Sequence, residues 1–367
     1  MHRKSKRIAL LTLVLCVTAG VSFGQEQGQI DPQKCWEQAI PDGRQIGANG
    51  ATLFVSRDGG KVDAFTMDGG KLWSADLGGE ISSNILISPI GVVVATTGGA
   101  GSVLRSVSKE TGVTQWTLPL PTAEQHSIGM IQSNLVVVSG NGAIQSVDPA
   151  NGNSKWKREI ASGFAGRAVF AGDRVLVASA AKQLFVLSGV TGDIEKLDKR
   201  DYQPTGFAVV ENNLVVGDER GNVTSTSMGA AKQTWKLKTG GKVASVGAVE
   251  GQLLISSYDN FAYWVTPANG SIRWKRRLSG RASSLGVINS QYLLSAATED
   301  HSAALSDLVT GRVVGQIGLT GDEVIVADPL ANKDQVVVLS SSGPRSFSLG
   351  PCSKKKAVRA SRPEPLP

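Results

Sequence analysis

The feature that most constrains the fold is a repeated tryptophan. One copy of it lies near the start of the chain although it belongs to the last unit of the repeat. In most units the tryptophan stands four residues after a glycine, and equivalent positions are separated by 39 to 43 residues. The seven positions that follow one another along the chain are Trp73, Trp116, Trp156, Lys196, Trp235, Trp274 and Gly315. A period of this length indicates one supersecondary unit used repeatedly.

Each unit contains four short segments with strand character. In the third unit these segments are 127–131, 135–138, 142–147 and 154–157, and they are rich in β-branched residues or alternate in polarity. The turn before the last segment, 148–152, contains a proline that presets φ and a final glycine that accepts a positive φ. Four strands in a period of about 40 residues are typical of a β-propeller blade.

The eighth unit is divided between the two ends of the chain. Segments 323–326, 335–339 and 345–349 provide three strands, after which the sequence becomes basic and proline-rich. The missing fourth strand is found at 34–40, where Trp36 repeats the tryptophan of the other units. We therefore predict an all-β fold, an eight-bladed β-propeller of four-stranded antiparallel blades whose last blade is completed by the N-terminal strand. A seven-bladed ring is the alternative that the sequence leaves open.

Two of the three cysteines lie where a divided blade would bring the chain ends together. Cys35 is next to Trp36, and Cys352 follows the last C-terminal strand, so we predict a disulfide between them, with two free thiols as the alternative. Cys16 belongs to a segment that we expect to be removed. Its surroundings resemble a lipobox only loosely, because Leu15 is large, and lipidation of Cys16 is left open.

The N-terminus has the form of a secretory signal peptide. A basic start is followed by an apolar run over 8–21 and by small residues before Gln25, so we expect residues 1–24 to be removed on export. Residues 25–352 are predicted to form a single propeller domain. Residues 353–367 are predicted to be a disordered, basic, proline-containing tail. The expected location is the periplasm or the outer membrane, with secretion as the alternative.

The net charge does not indicate a nucleic-acid-binding protein. The formal charge is +7, but the predicted signal segment carries four basic residues and the tail a net +4, so the propeller itself carries about −1. A near-neutral ring lacks the basic surface that a phosphate backbone requires, and we predict no nucleic-acid partner. The basic tail permits at most a peripheral association with membranes.

Side chains suited to catalysis or metal binding are sparse. Outside the signal segment the only histidines are His126 and His301, which we interpret as ordinary strand or loop residues. The run Glu299-Asp300-His301 is interpreted as a polar loop of the seventh unit rather than as a cation site. We therefore predict that the protein is not an enzyme and has no cofactor or metal.

One group of aromatic residues departs from the repeat. Trp264 replaces the serine found at the equivalent position of other units, and Tyr258 and Tyr263 are close to it in sequence. These aromatics are candidates for a partner or ligand surface, with packing between blades as the favoured alternative. Lys275 and Arg276 follow a tryptophan on a predicted outer strand, and this exposed edge could accept a strand from a partner.

The repeat resembles that of the PQQ-like β-propeller family. The resemblance is clearest in segment 142–148 followed by Gly152 and Trp156, and it covers about residues 34–350. Quinoprotein dehydrogenases of this family hold a calcium-bound quinone. This sequence has no adjacent cysteine pair, no obvious carboxylate cluster and no Cys-x-x-Cys-His haem motif. The BamB-like outer-membrane protein assembly factors, which are eight-bladed, exported and non-catalytic, match better in size, unit number and export.

The resemblance to the BamB-like factors implies a non-catalytic scaffold that binds proteins in the bacterial envelope. The implied partner is a component of an outer-membrane barrel-assembly complex. The alternatives are a periplasmic protein that binds a quinone or another small ligand, a PQQ-dependent dehydrogenase-like enzyme, and a secreted sensor or adhesion module. No residue matches a partner-binding motif of the family, so neither the partner nor the binding face is predicted from the resemblance.

Overall fold

The fold is an eight-bladed β-propeller, as the repeat predicts. The computed structural model describes residues 29–229, 232–281 and 285–352, which form eight antiparallel sheets and one turn of 3-10 helix at Asp58–Gly60. The predicted signal segment, Cys16 and the predicted tail lie outside the described residues. Among the residues described, no helix is long and apolar enough to cross a membrane.

The strands are short, and blades 1 to 7 use them in chain order from the centre of the ring outwards, whereas in blade 8 the N-terminal strand is the outermost strand. They are, in blade 1, β2 (Gly43–Ala48), β3 (Thr52–Arg57), β4 (Lys61–Thr66) and β5 (Lys71–Asp76); in blade 2, β6 (Glu80–Ile81), β7 (Leu86–Ile87), β8 (Val92–Gly98), β9 (Gly101–Val107) and β10 (Thr114–Leu120); in blade 3, β11 (His126–Ile131), β12 (Asn134–Ser139), β13 (Ala143–Val147) and β14 (Ser154–Glu159); in blade 4, β15 (Val169–Ala171), β16 (Arg174–Ala178), β17 (Gln183–Ser188) and β18 (Ile194–Lys199); in blade 5, β19 (Pro204–Val210), β20 (Asn213–Asp218), β21 (Asn222–Ser227) and β22 (Gln233–Lys238); in blade 6, β23 (Val243–Val249), β24 (Gln252–Ser257), β25 (Phe261–Val265) and β26 (Ile272–Arg277); in blade 7, β27 (Leu285–Ile288), β28 (Tyr292–Ser295), β29 (Ser302–Asp307) and β30 (Val313–Gly318); and in blade 8, β31 (Leu330–Asn332), β32 (Gln335–Ser340), β33 (Gly343–Ser348) and the N-terminal β1 (Gln33–Glu37).

The ring is closed by the N-terminal strand. In blade 8 the strand order is β1-β33-β32-β31, and β1 pairs antiparallel with β33, so that Trp36 lies opposite Ser346. This pairing confirms the divided blade. Cys35 and Cys352 form a disulfide with Cα atoms 5.5 Å apart, which joins the strand to the residues that follow β33. Both ends of the propeller are therefore held in one blade.

The hydrophobic core lies between neighbouring blades rather than within any one of them. On β8, Val92 and Val94 pack with Phe54 of blade 1, whereas Val93 and Ala95 pack with residues of blade 3. Successive side chains of a strand point to opposite faces of its sheet, so a strand covered on both faces reads as a continuous apolar run. This arrangement explains the unbroken β-branched runs in the middle strands of the blades.

The repeated tryptophans connect each blade to the next one. Trp116 of β10 donates its indole N–H to the backbone oxygen of Pro149 in blade 3 at 2.9 Å. Gly152, in the same turn, has φ near +77°, and a Cβ there would lie 2.8 Å from the indole ring. The tryptophan of one unit therefore requires a glycine in the turn of the next unit, because a side chain there would collide with the indole. The equivalent N–H donors and carbonyl acceptors are Trp36 and Met67, Trp73 and Lys109, Trp235 and Pro267, and Trp274 and Leu308.

Two units lack the tryptophan, and each replaces its contact in a different way. In blade 4 the Nζ of Lys196 donates to the backbone oxygen of Ser227 in blade 5 at 2.8 Å. In blade 7, Ile30, which precedes β1, forms a parallel bridge with Gly315 and donates its N–H to the oxygen of Val314 at 2.6 Å. A Cβ at Gly315 would approach the oxygen of Ile30 to 2.6 Å. The N-terminal segment thus supports blade 7 before it completes blade 8.

Candidate interaction surfaces

The polar loop of blade 7 is occupied by contacts within the protein. Asp300 accepts hydrogen bonds from the Oγ of Ser279 at 2.6 Å and the backbone N–H of Ala297 at 3.1 Å. The Nδ1 of His301 lies 2.8 Å from the backbone oxygen of Glu323. Within the described ranges, no three His, Cys, Asp or Glu side chains are grouped so that they could hold a metal ion. The loop therefore forms hydrogen bonds that hold blade 7 to the segment entering blade 8.

His126 is buried on the inner strand of blade 3. Its Nδ1 lies 2.9 Å from the Oγ of Ser139, whereas its Nε2 has no hydrogen-bond partner among the described atoms. Burial disfavours the imidazolium and lowers the pKa of His126 to about 4. The side chain is therefore neutral at physiological pH and belongs to the packing of the blade.

We expect His126 to make the protein less stable in acid. Its pKa in the folded state is below its value of 6.5 in the unfolded state, so the unfolded chain binds the extra proton as the pH falls from about 6.5 to about 4. The stabilisation by neutral His126 is complete above this window and is lost across it, amounting to about 3 kcal/mol. Urea unfolding at several pH values should show a shallower decline for His126→Asn. Equal slopes for His126→Asn and the wild type would contradict the prediction.

Two of the predicted surface aromatics lie in the interior. Trp264 is 5% exposed and stacks on Trp274, with ring centroids 6.0 Å apart and planes at 8°. Tyr263 is 1% exposed, and its hydroxyl donates to Asp259 at 2.5 Å. Burial, together with the neighbouring Asp259 carboxylate, raises the pKa of Tyr263. Both side chains pack between blades, which is the alternative given for them above, and neither lines an accessible surface.

Lys275 and Arg276 are both exposed on the outer strand of blade 6, but their contacts differ. The Nζ of Lys275 lies 4.0 Å from the ring centroid of Phe261 and 5.0 Å from that of Tyr263, both in its own blade. Arg276 donates from Nε to the oxygen of Gly311 at 3.1 Å and from Nη2 to the oxygen of Thr310 at 2.9 Å. Arg276 therefore supports the turn of blade 7, and Lys275 is the better probe of the outer edge for partner binding.

We predict that Arg276→Glu destabilises the protein by about 1 to 2 kcal/mol more than Lys275→Glu. The first change removes two charge-assisted hydrogen bonds to the next blade and brings a carboxylate to two carbonyl oxygens, whereas the second removes two cation–π contacts within one blade. The measurement is the denaturant midpoint of the two variants, which have the same net charge. Equal midpoints would show that the contacts of Arg276 contribute nothing.

Tyr258 is the one predicted aromatic that the structure places at the surface, where it is 39% exposed. It lies in the turn between β24 and β25. The Nζ of Lys242 is 5.4 Å from its ring centroid, and the guanidinium carbon of Arg281 is 5.6 Å away. This turn is on the face of the ring that carries the turns between second and third strands and the connections between blades. We call it the loop face.

The centre of the ring contains a cavity of about 580 Å³ lined by inner strands. The sequence shows no motif for it, because the inner strands carry no residue type common to all units. Blades 5 and 6 approach one another most closely, since the Oγ1 of Thr205 donates to the oxygen of Val243 at 2.7 Å and a Cβ at Gly206 would lie 3.0 Å from the carbonyl carbon of Ser245. The cavity wall includes two exposed cations, Arg44, which is paired with Asp58, and Arg167.

Comparison with known proteins supports the predicted resemblance. The model of the family "Outer membrane protein assembly factor BamB" matches residues 24–164 and 140–196. The crystal structure of BamB from Moraxella catarrhalis is similar at 15% identity, with a TM-score of 0.66, over 86% of this chain and 97% of that protein. The predicted resemblance to PQQ-like, BamB-like propellers is thereby confirmed.

A designed protein shares the architecture as well. The computationally designed Ika8 protein is similar at 13% identity, with a TM-score of 0.71, over 88% of this chain and 99% of that protein. At this level of identity, the likeness to either structure shows the fold alone. No match to the chain is found among curated proteins.

Proposed function

Since this chain is a PQQ-like β-propeller similar to the BamB assembly factors, we propose that it is a non-catalytic scaffold that binds proteins in the bacterial envelope and takes part in outer-membrane protein assembly. The observation that carries the proposal is the match of the BamB family model to residues 24–164 and 140–196. The similarity of the fold over 97% of a solved BamB supports it. The predicted signal segment supports a location in the envelope.

The architecture suits a scaffold because it presents large surfaces on a closed ring. Each blade is covered by its neighbours on both sides, and the disulfide between Cys35 and Cys352 joins the chain ends. Burial lowers the pKa of His126 and raises the pKa of Tyr263. These shifts are accounted for by packing between strands and require no reaction site.

A small-ligand binding protein is the second candidate, favoured by the central cavity. Its volume of about 580 Å³ is within the range of about 300 to 1,000 Å³ typical of ligand sites, and Arg167 provides a cation at its wall. A titration with a quinone in the presence and absence of calcium tests this candidate. The scaffold proposal predicts no spectral shift and no rise in melting temperature, whereas thermal stabilisation would favour the ligand-binding candidate.

The proposal is tested by crosslinking in intact cells. The full chain, with a C-terminal tag and its own N-terminal segment, is expressed in its native host, crosslinked and purified from the envelope under denaturing conditions. We expect to recover a component of an outer-membrane barrel-assembly complex. A tagged exported protein of similar size and a sample without crosslinker serve as controls. Recovery of nothing above these controls, or of soluble metabolic proteins alone, would contradict the proposed role.

A further inference from the structure

We propose that a strip on the loop face of blades 5 and 6 is a docking site for an acidic peptide segment of a partner protein. The strip consists of Tyr202, Arg220, Lys242, Tyr258 and Arg281, and we call it the cation–tyrosine strip. It rests on the proposed scaffold function in requiring a protein partner, but not on the identity of that partner. The five residues come from five loops that are separated in sequence and adjacent in the fold.

The strip combines half-exposed rings with unneutralised cations. Tyr202 is 40% and Tyr258 39% exposed, and the guanidinium carbon of Arg220 lies 5.6 Å from the ring centroid of Tyr202. Lys242 and Arg281 both contact the ring of Tyr258, at 5.4 and 5.6 Å. Across the part of the chain that the structure describes, none of these three cations forms a salt bridge. Their charge is therefore available to carboxylates of a partner.

Hydrogen bonds between the loops hold the strip in place. The Oγ1 of Thr239 donates to the oxygen of Gly221 at 3.0 Å and of Gly241 at 2.8 Å, which connects the turn of blade 5 to the segment that enters blade 6. The backbone N–H of Tyr258 donates to the oxygen of Lys242 at 2.8 Å. A surface whose backbone is already ordered loses little conformational entropy when it binds.

Two of the carboxylates beside the strip, Asp218 and Asp259, are occupied by hydrogen bonds within the protein. Asp259 accepts from the N–H of Gly240 at 2.8 Å and from the hydroxyl of Tyr263. Asp218 accepts from the backbone N–H groups of Arg220 and Asn222, both at 2.9 Å. These carboxylates therefore order the loops without forming salt bridges with the three cations.

The equivalent loops of blade 7, the neighbour of blade 6, carry the opposite charge. In blade 7 the turn between β28 and β29 contains Glu299 and Asp300, and the connection to blade 8 contains Asp322 and Glu323. An acidic segment would therefore be attracted to blades 5 and 6 and repelled from blade 7, which sets its position on the face. The segment's carboxylates would bind the cations while its backbone lies along the tyrosine rings.

An acidic peptide fits the strip better than a lipid surface does. Anionic membranes attract dense basic clusters in proportion to the number of cations, whereas this strip has three cations interspersed with carboxylates. Spaced cations and flat rings match a peptide with spaced carboxylates. We therefore expect the strip to contact individual carboxylate side chains of a peptide rather than the charged surface of a membrane.

The proposal is tested by fluorescence anisotropy with the mature chain and a ten-residue rhodamine-labelled peptide of alternating Glu and Gly. We expect the triple variant Arg220→Glu/Lys242→Glu/Arg281→Glu to bind the peptide at least about tenfold more weakly than the wild type. Tyr258→Ala should weaken binding by several-fold, and Tyr258→Phe, which retains the ring, should bind as the wild type does.

The matched control is Lys157→Glu/Lys236→Glu/Arg277→Glu, which makes the same change of charge at exposed positions on outer strands. It should alter the affinity less than about twofold, and melting curves verify that both triple variants are folded. Equal loss in the two triple variants, or unchanged binding by the strip variant, would overturn the proposal. So would tighter binding of phosphatidylglycerol vesicles than of the peptide through the same residues. The scaffold proposal would survive each of these results, since the crosslinking experiment tests it separately.

Discussion

Replacing Trp274 by alanine should lower the free energy of unfolding by about 3 to 5 kcal/mol. The indole is 6% exposed, stacks on Trp264 and donates to the oxygen of Leu308 at 3.0 Å. Gly311 of blade 7 packs directly against it. The substitution would leave a cavity between blades 6 and 7. It would also leave the backbone oxygen of Leu308 without the hydrogen bond from the indole. Equilibrium unfolding in urea, followed by circular dichroism, measures the effect.

Trp156 provides the matched control for this prediction. It occupies the equivalent position in blade 3 and also packs against a glycine, Gly192, but it is only partly buried, and its indole nitrogen has no partner among the described atoms. Trp156→Ala should therefore cost less than Trp274→Ala. The phenylalanine variants separate the two contributions, because Trp274→Phe loses a hydrogen bond and Trp156→Phe does not. Equal losses at the two positions would show that the indole hydrogen bond does not contribute.

Removing the disulfide should destabilise the propeller by up to about 5 kcal/mol. Cys35 and Cys352 are 317 residues apart in sequence, so the bond restricts almost the whole unfolded chain. The double variant Cys35→Ala/Cys352→Ala is compared with the wild type by urea unfolding under oxidising conditions. The N-terminal strand of the variant should also be cleaved faster by protease, because β1 pairs only with β33 within its sheet.

A reducing agent provides the control for this comparison. It should lower the denaturant midpoint of the wild type to that of the double variant and leave the double variant unchanged. A wild type that keeps its midpoint after complete reduction would contradict a stabilising role for the bond. A double variant that unfolds at the wild-type midpoint would contradict it as well.

The candidate surfaces could be predicted from the sequence only in part. The departure of Trp264 from the repeat identified blade 6 as unusual, but the structure places Trp264 and Tyr263 between blades and leaves Tyr258 at the surface. The local sequence shows that a residue is aromatic, but it does not show which residues of neighbouring blades bury it. In the same way, Lys275 and Arg276 are alike in sequence, and only Arg276 reaches the next blade.

The sequence by itself determined the architecture of this protein. Strand patterning and the tryptophan period depend on residues within one unit, and the position of Trp36 near the front of the chain was sufficient to predict the closed ring. The tertiary structure alone decided which partners replace the missing tryptophans, Lys196 in blade 4 and Ile30 in blade 7. It also decided that five separate loops form the cation–tyrosine strip. These features depend on how neighbouring blades pack against one another. The packing brings together residues that are far apart along the chain, and no local sequence pattern predicts such contacts.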